Sequence, residues 1–167
     1  RPTAFRPGRV SVALHLRRGD LRREEARVTP NAYYYYLVDR VRKAFPNADI
    51  HLWSSTANYM AQIKNPYWFS SDFDGFRKRG VTVHLDDDNL VDVWSHFARS
   101  HIFIMSMSSF AIVAGYLNTN CVIYAGSISL PQESWVNGHN AARASYEDEL
   151  RACFASAGAA AGVEVAK

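Results

Sequence analysis

The chain has only two cysteines, Cys121 and Cys153, among its 167 residues. Two thiols exclude a multi-disulfide scaffold and a four-cysteine zinc site, and they leave the redox compartment open. No apolar run approaches the ~18–20 residues that a membrane-spanning helix needs. The six histidines, at 15, 51, 84, 96, 101 and 139, show no paired metal-ligand spacing. There is no Gly-x-x-x-x-Gly-Lys-Ser/Thr loop and no Gly-x-Gly-x-x-Gly, so the main signatures of P-loop and dinucleotide sites are missing. No Gly-x-Ser-x-Gly elbow supports a hydrolase. No repeat with a period of 20–50 residues is visible, which excludes a solenoid or propeller. The chain opens at Arg1 with neither an initiator Met nor a signal-peptide pattern.

What is present is ordinary globular material. Hydrophobic residues make up 48% and charged residues 21%, usage that sets the chain apart from disordered and fibrous classes. The length suits one domain able to build its own core. The net charge of +3 is unevenly spread. Residues 1–27 hold eight arginines against Asp20, Glu24 and Glu25, a local +5 that leaves −2 for the rest. A local positive patch of this kind suits phosphate or pyrophosphate, whereas a nucleic-acid domain is basic over a whole face. Nucleic acid is therefore not the expected partner, although a phosphate-rich ligand on the basic amino-terminal arm is a competing reading.

The organisation is an alternation of strands and helices. Residues 9–16 (RVSVALHL) form a short Val/Leu-rich run, the pattern of a buried strand. Thr29-Pro30 reads as a helix start, with Thr29 as N-cap and Pro30 in the first turn. Tyr33, Leu37, Val41 and Phe45 then recur every four residues until Pro46 stops the helix. Residues 49–54 (DIHLWS), 81–85 (VTVHL), 101–106 (HIFIMS) and 121–125 (CVIYA) are four further strands. Helices are expected over 57–64, about 72–79, 90–100, from Ser108-Ser109 to 118, and over 146–157. Residues 126–140 read as a loop. The alanine-rich tail from about 158 is expected to be disordered. Together these elements predict an α/β, Rossmann-like three-layer domain with a parallel sheet of about five strands.

In open parallel sheets, ligands sit beyond the carboxyl ends of the strands. His15-Leu16-Arg17-Arg18-Gly19-Asp20 ends the first strand. Alternation puts His15 and Arg17 on one face and Leu16 and Arg18 on the other. A guanidinium there can grip a pyrophosphate with two parallel hydrogen bonds, Gly19 permits a sharp departure, and Asp20 can lock one of the two arginines. Ser106-Met107-Ser108-Ser109-Phe110 ends the fourth strand and opens a helix, whose free N–H groups and positive dipole end favour anions. The plainer readings are a solvated basic turn and simple N-capping by Ser108. Asp86-Asp87-Asp88 has the carboxylates for a divalent cation but lacks the spaced pattern of a calcium loop.

His15-Leu16-Arg17-Arg18-Gly19-Asp20 resembles the His-x-Arg-Arg-Gly/Thr-Asp motif of GDP-fucose-dependent fucosyltransferases of the α-1,2 and α-1,6 groups. Pro30-Asn31-Ala32-Tyr33-Tyr34 resembles the helix start that follows it. Residues 50–55 resemble the strand ending in Phe-Ser-Asp, residues 102–110 the Ile-Ile-Ser-Asn-Ser-Ser-Phe segment, and Ala114-Gly115-Tyr116-Leu117-Asn118 the helix after it. The resemblance covers roughly residues 9–137. It departs from the pattern at Met107, at Ile112-Val113, where a Trp-Trp pair is usual, and at Ser54-Ser55-Thr56, where Ser-Asp-Asp is usual.

The resemblance implies one half of a GT-B fold, the donor-binding half, with an acceptor domain expected upstream. It implies fucose transfer from GDP-fucose to a glycan hydroxyl with inversion and without a metal or other cofactor. Arg17 would hold the β-phosphate and stabilise the leaving GDP, with Arg18 supporting the loop through Asp20. His15 would lie at the guanosine end, Ser108 and Ser109 on the diphosphate, and Phe110 in the pocket wall; Asp92 is the nearest candidate for reading guanine. The implied location is the Golgi or secretory lumen for a type II membrane protein, or the cytoplasm for a bacterial-type enzyme. A non-catalytic nucleotide-binding module of the same fold is the alternative.

Overall fold

The structure is a computed structural model that describes residues 4–57, 67–126, 131–139 and 141–166. Among these, one six-stranded sheet runs in the order β3-β2-β1-β4-β5-β6. The strands are β1 (Ser11–Leu16), β2 (Asp49–Ser54), β3 (Thr82–Leu85), β4 (Ile102–Met105), β5 (Cys121–Tyr124) and β6 (Val136–Asn137). Every neighbouring pair is parallel. The helices are α1 (Asn31–Ala44), α2 (Asp74–Arg77), α3 (Leu90–Arg99), α4 (Ser109–Leu117) and α5 (Tyr146–Ala161), and a 3-10 turn, Ser70–Phe73, leads into α2.

All six residues of β1 are buried, because helices cover both faces of the sheet. Val12, Leu14, Ile50, Leu52, Ile102 and Ile104 face one core with Leu37 and Val41 of α1, Phe76 of α2 and Leu150 and Phe154 of α5. Ala13, Trp53, Phe103 and Met105 face a second core with Val93 and Phe97 of α3 and Ala111 and Ala114 of α4. Fully burying each Val or Leu of β1 contributes about 1.5–3 kcal/mol. The domain is thus α/β with three layers, and among the described residues no helix is long and apolar enough to cross a membrane.

Four features differ from the sequence reading. Pro30, in extended conformation, caps α1 itself, so the helix starts one residue later than the Thr-Pro pair implies. The sheet has a sixth strand, β6, inside the segment read as loop; two residues are too few to show any period. Helix α5 continues to Ala161, through the tail expected to be disordered. Its end is ordered because it packs closely: Ala157 is fully buried, and a Cβ on Gly158 would come within 2.6 Å of the Val163 carbonyl and 3.3 Å of the Phe45 ring. Small residues make that approach but leave no hydrophobic stripe to read. Finally, Cys121 and Cys153 form a disulfide, Cα–Cα 4.9 Å, that ties the start of β5 to α5. The helix expected over 57–64 lies almost wholly outside the described residues.

Candidate ligand cleft

The strand order places β1 between β2 and β4, and the chain reverses direction across the sheet at the β1/β4 boundary. That boundary is where parallel sheets open a ligand crevice. The two anion-suited segments leave β1 and β4 side by side. They meet in a cavity of about 380 Å³ whose wall includes His15, Arg17, Asp20, Ser108, Ser109 and Phe110.

Ser106 joins the two segments. Its hydroxyl accepts a hydrogen bond from the Arg17 N–H, at 3.2 Å, and lies 2.9 Å from His15 Nδ1. His15 is packed against Phe97 and Phe110, with ring centroids 5.6 and 5.4 Å away. Burial, reinforced by the neighbouring Arg17 and Arg18, lowers its pKa to about 3. The ring is therefore neutral at physiological pH and serves as a shaped wall.

The two adjacent arginines have different tasks. Arg17 reaches into the cleft, its side chain 25% exposed, and makes a forked pair with Asp20 at 2.7 and 3.4 Å. The hydrogen bond from Arg17 is the main cause of the lowered pKa of Asp20. Arg18 also borders the cavity, but its guanidinium is buried. It donates to the carbonyls of Arg17 and Thr29, at 2.9 and 2.8 Å, and to Asn31 Oδ1 at 2.7 Å. Its guanidinium lies 4.6 Å from the centre of the Trp68 ring, and burial lowers its pKa. This corrects the expected Arg18–Asp20 pair: Arg18 finds three oxygens in the interior, and Asp20 is left to Arg17. Arg18 does hold the loop, through Thr29 and Asn31 at the start of α1.

Gly19 makes the turn between them. Its φ is +35°, and a Cβ would sit 2.8 Å from the Ala57 carbonyl, while its N–H donates to the Ser55 carbonyl at 2.9 Å. Only glycine combines that backbone conformation with that approach. The loop after β2 is held in turn by Asp86, at the end of β3. Its carboxylate accepts from Ser55 Oγ, Thr56 Oγ1 and the N–H groups of Thr56 and Ala57 at 2.6–3.0 Å. Burial acts to raise the pKa of Asp86, but these hydrogen bonds prevail and lower it. Asp86 is thus used structurally, and among the described residues no group of three metal-ligating side chains converges.

Across the cleft, Ser108 is the buried N-cap of α4 and Ser109 its exposed first residue. The Ser108 hydroxyl caps no helical N–H. The first N–H groups of a helix have no intrahelical acceptor, so this terminus is an anion-suited rim facing Arg17. Phe110 lies between His15 and Trp94. Asp92 is not among the residues that line the cavity; it sits in the first turn of α3, its N–H donating to Asn89 Oδ1 at 3.2 Å. The helix instead presents its neighbours Leu90 and Val93.

Ser55 and Asp87 also line the cleft, as do Trp53, Leu90 and Val93, which sequence reasoning did not single out. For Trp53 the usable signal is the carboxyl end of β2, which the crevice rule marks; Leu90 and Val93, on α3, carry no such signal. Comparison with protein-family models, with curated proteins and with solved structures returned no match for this chain.

Proposed function

We propose that the cleft binds the diphosphate of a nucleotide sugar, and that the domain is the donor-binding half of an inverting fucosyltransferase using GDP-fucose. The observation that carries the diphosphate reading is the placement of Arg17 and the α4 terminus on the rims of one cavity at the β1/β4 boundary. The apolar wall of Leu90, Val93, Trp53 and Phe110 suits packing against the flat face of a nucleotide base. The choice of guanosine and fucose rests on the resemblance of the ordered motifs.

In the reaction, an acceptor hydroxyl oxygen bonds to C1 of fucose from the face opposite GDP. The bond from C1 to the β-phosphate oxygen breaks, and its electron pair leaves with GDP. The acceptor proton passes to a base outside the residues assigned here. Arg17 acts on the leaving phosphate, where its fork stabilises the growing charge. Arg18, through Thr29 and Asn31, positions the loop and touches no substrate. No metal ion is required on this reading. The departures at Ile112-Val113 and Ser54-Ser55-Thr56 favour a second reading, in which the domain binds the nucleotide without turning it over.

The test is calorimetric titration with GDP, UDP and ADP. GDP is expected to bind best, and Arg17→Ala to weaken it roughly 10- to 150-fold, the equivalent of about 1.5–3 kcal/mol for a lost hydrogen bond to a charged group. Unchanged GDP affinity in that variant refutes the assignment. Binding without release of GDP from GDP-fucose, with acceptor glycans present, selects the second reading.

A further inference from the structure

The cleft uses only part of the basic amino-terminal region. Arg17 and Arg18 serve it, while Arg6 and Arg9 lie at the other end of the sheet. There the amino ends of β1 and β4 and the last turns of α3 and α5 border a second cavity, of about 530 Å³. Arg6, Arg9, Arg99 at the end of α3 and His101 just before β4 line it, with Phe5 and Ala160 as apolar wall. Helix α3 starts at the cleft with Leu90 and ends here with Arg99. The six residues of β1 separate the two cavities by about 20 Å.

The charge of this cavity is one-sided. Among the described residues that line it, none is acidic. The guanidiniums of Arg9 and Arg99 belong to exposed residues and have no hydrogen bond, ion pair or ring partner among the described residues. Arg6 is partly satisfied: its N–H donates to Asp49 Oδ2 at 2.7 Å, and its Nε lies 3.9 Å from Asp49 Oδ1. That carboxylate is buried and shared with His51 Nε2 at 3.3 Å, and it pairs with neither Arg9 nor Arg99. Arg9 instead adds to a field of its own sign. Burial lowers the pKa of Arg42 on α1, Asp49 opposes this, and Arg9 reinforces it.

His101 supplies a further donor. The Ser11 N–H donates to its Nδ1 at 3.0 Å, and Ser11 Oγ lies 2.8 Å from the same nitrogen. A lone pair on Nδ1 leaves the ring proton on Nε2. That N–H has no acceptor among the described residues.

We propose that this cavity is a second anion site, for a phosphate dianion, free or as the phosphate group of a small monoester. Two unpaired guanidiniums match the roughly 1.5–2 negative charges that such a group carries near neutral pH. Each fork can bond two phosphate oxygens, and the His101 N–H adds a neutral donor. The volume lies in the range of roughly 300–1,000 Å³ that takes small molecules, which leaves room for an organic part against Phe5 and Ala160. The site shares no lining residue with the cleft, so it stands or falls apart from the nucleotide reading.

Two-dimensional NMR of the whole chain at pH 7.5, titrated with sodium phosphate and separately with phenyl phosphate, tests the site. Amides of residues 6–11 and 99–101 are expected to shift and saturate, with an affinity distinct from that of residues 17–20 and 106–110 in the cleft. Tighter binding of phenyl phosphate identifies an ester as the occupant; equal or weaker binding identifies the free ion. Arg9→Gln and Arg99→Gln should each weaken binding about tenfold, the low end for a lost hydrogen bond to a charged group. Both changes are on the surface and should leave the melting temperature and the cleft titration unaltered. Shifts at 6–11 and 99–101 that do not saturate, or that sodium chloride reproduces at the same ionic strength, overturn the proposal, as does unchanged affinity in both variants.

Discussion

Breaking the Cys121–Cys153 bridge should cost this domain a large share of its stability. The two residues are 32 apart in sequence. In the chain-entropy description, closing a loop of that length removes about 12 cal/mol/K from the unfolded ensemble, or about 3.7 kcal/mol at 25 °C. Both side chains are buried, Cys121 at 1% and Cys153 at 8% exposure, so reduction also leaves two thiols in a space packed for a bridge. Domains of this size have about 5–15 kcal/mol in total. Urea unfolding followed by circular dichroism, with and without dithiothreitol, measures the difference. Cys121→Ala/Cys153→Ala separates the cross-link from the chemistry of the reductant. We expect a loss of about 3–4 kcal/mol, with α5 losing exchange protection first because the bridge is its covalent tie to β5. A difference under about 1 kcal/mol would mean that the unfolded chain is not constrained by this loop, and the reasoning fails. Bridges of this kind form and persist in oxidising compartments.

Asp20→Asn removes the carboxylate that competes for Arg17 while keeping its shape. Partly exposed ion pairs contribute about 0.2–1 kcal/mol, so GDP titrated calorimetrically should bind about 1.5- to 5-fold more tightly; weaker binding would assign Asp20 to the ligand instead. Gly19→Ala forces a Cβ toward the Ala57 carbonyl in a positive-φ turn, and thermal melting should report a loss of about 1–3 kcal/mol. His15, with its pKa lowered to about 3, binds no proton in the fold between about pH 6.5 and 3 although the unfolded chain does. Its contribution to stability is complete above about pH 6.5 and is lost as the pH falls, by about 1.4 kcal/mol per unit. The pH dependence of the urea midpoint between pH 6 and 4 should therefore be shallower in His15→Gln; an unchanged slope rejects this.

The layers of the fold were legible because β1, β2, β4 and β5 are short apolar runs and α1 carries a four-residue stripe. What escaped had no period to detect. Val136 and Asn137 are too few to alternate, and the last turns of α5 pack through alanine and glycine. The disulfide was open because two cysteines 32 residues apart specify no contact until α5 lies on β5. In the cleft, the local motifs placed Arg17, His15, Ser108, Ser109 and Phe110 around one cavity. Trp53, Leu90 and Val93 come from elements that topology alone brings to the site. Asp92 shows the opposite error: a position near a motif in sequence is not a position in the wall.

The assignment of the two arginines shows why neighbouring residues in a motif need not act alike. Strand alternation sends Arg17 and Arg18 to opposite faces, but alternation does not say which face is wet. Arg18 enters the interior, where an unpaired guanidinium would be costly; three oxygens and the Trp68 ring offset that cost. Two of those oxygens belong to Thr29 and Asn31, so the buried charge fastens the start of α1 to the end of β1. Arg17 is then held by its backbone, through Ser106, while its side chain, among the described residues, pairs with the exposed Asp20. A carboxylate occupies a guanidinium fork with the same two-oxygen geometry that a phosphate offers. On the proposed function, an arriving diphosphate would replace Asp20 without moving the loop, because Arg18 supplies the rigidity and leaves Arg17 for the ligand. Arg18→Lys should accordingly lower stability first, and Arg17→Lys should lower nucleotide affinity with stability nearly unchanged.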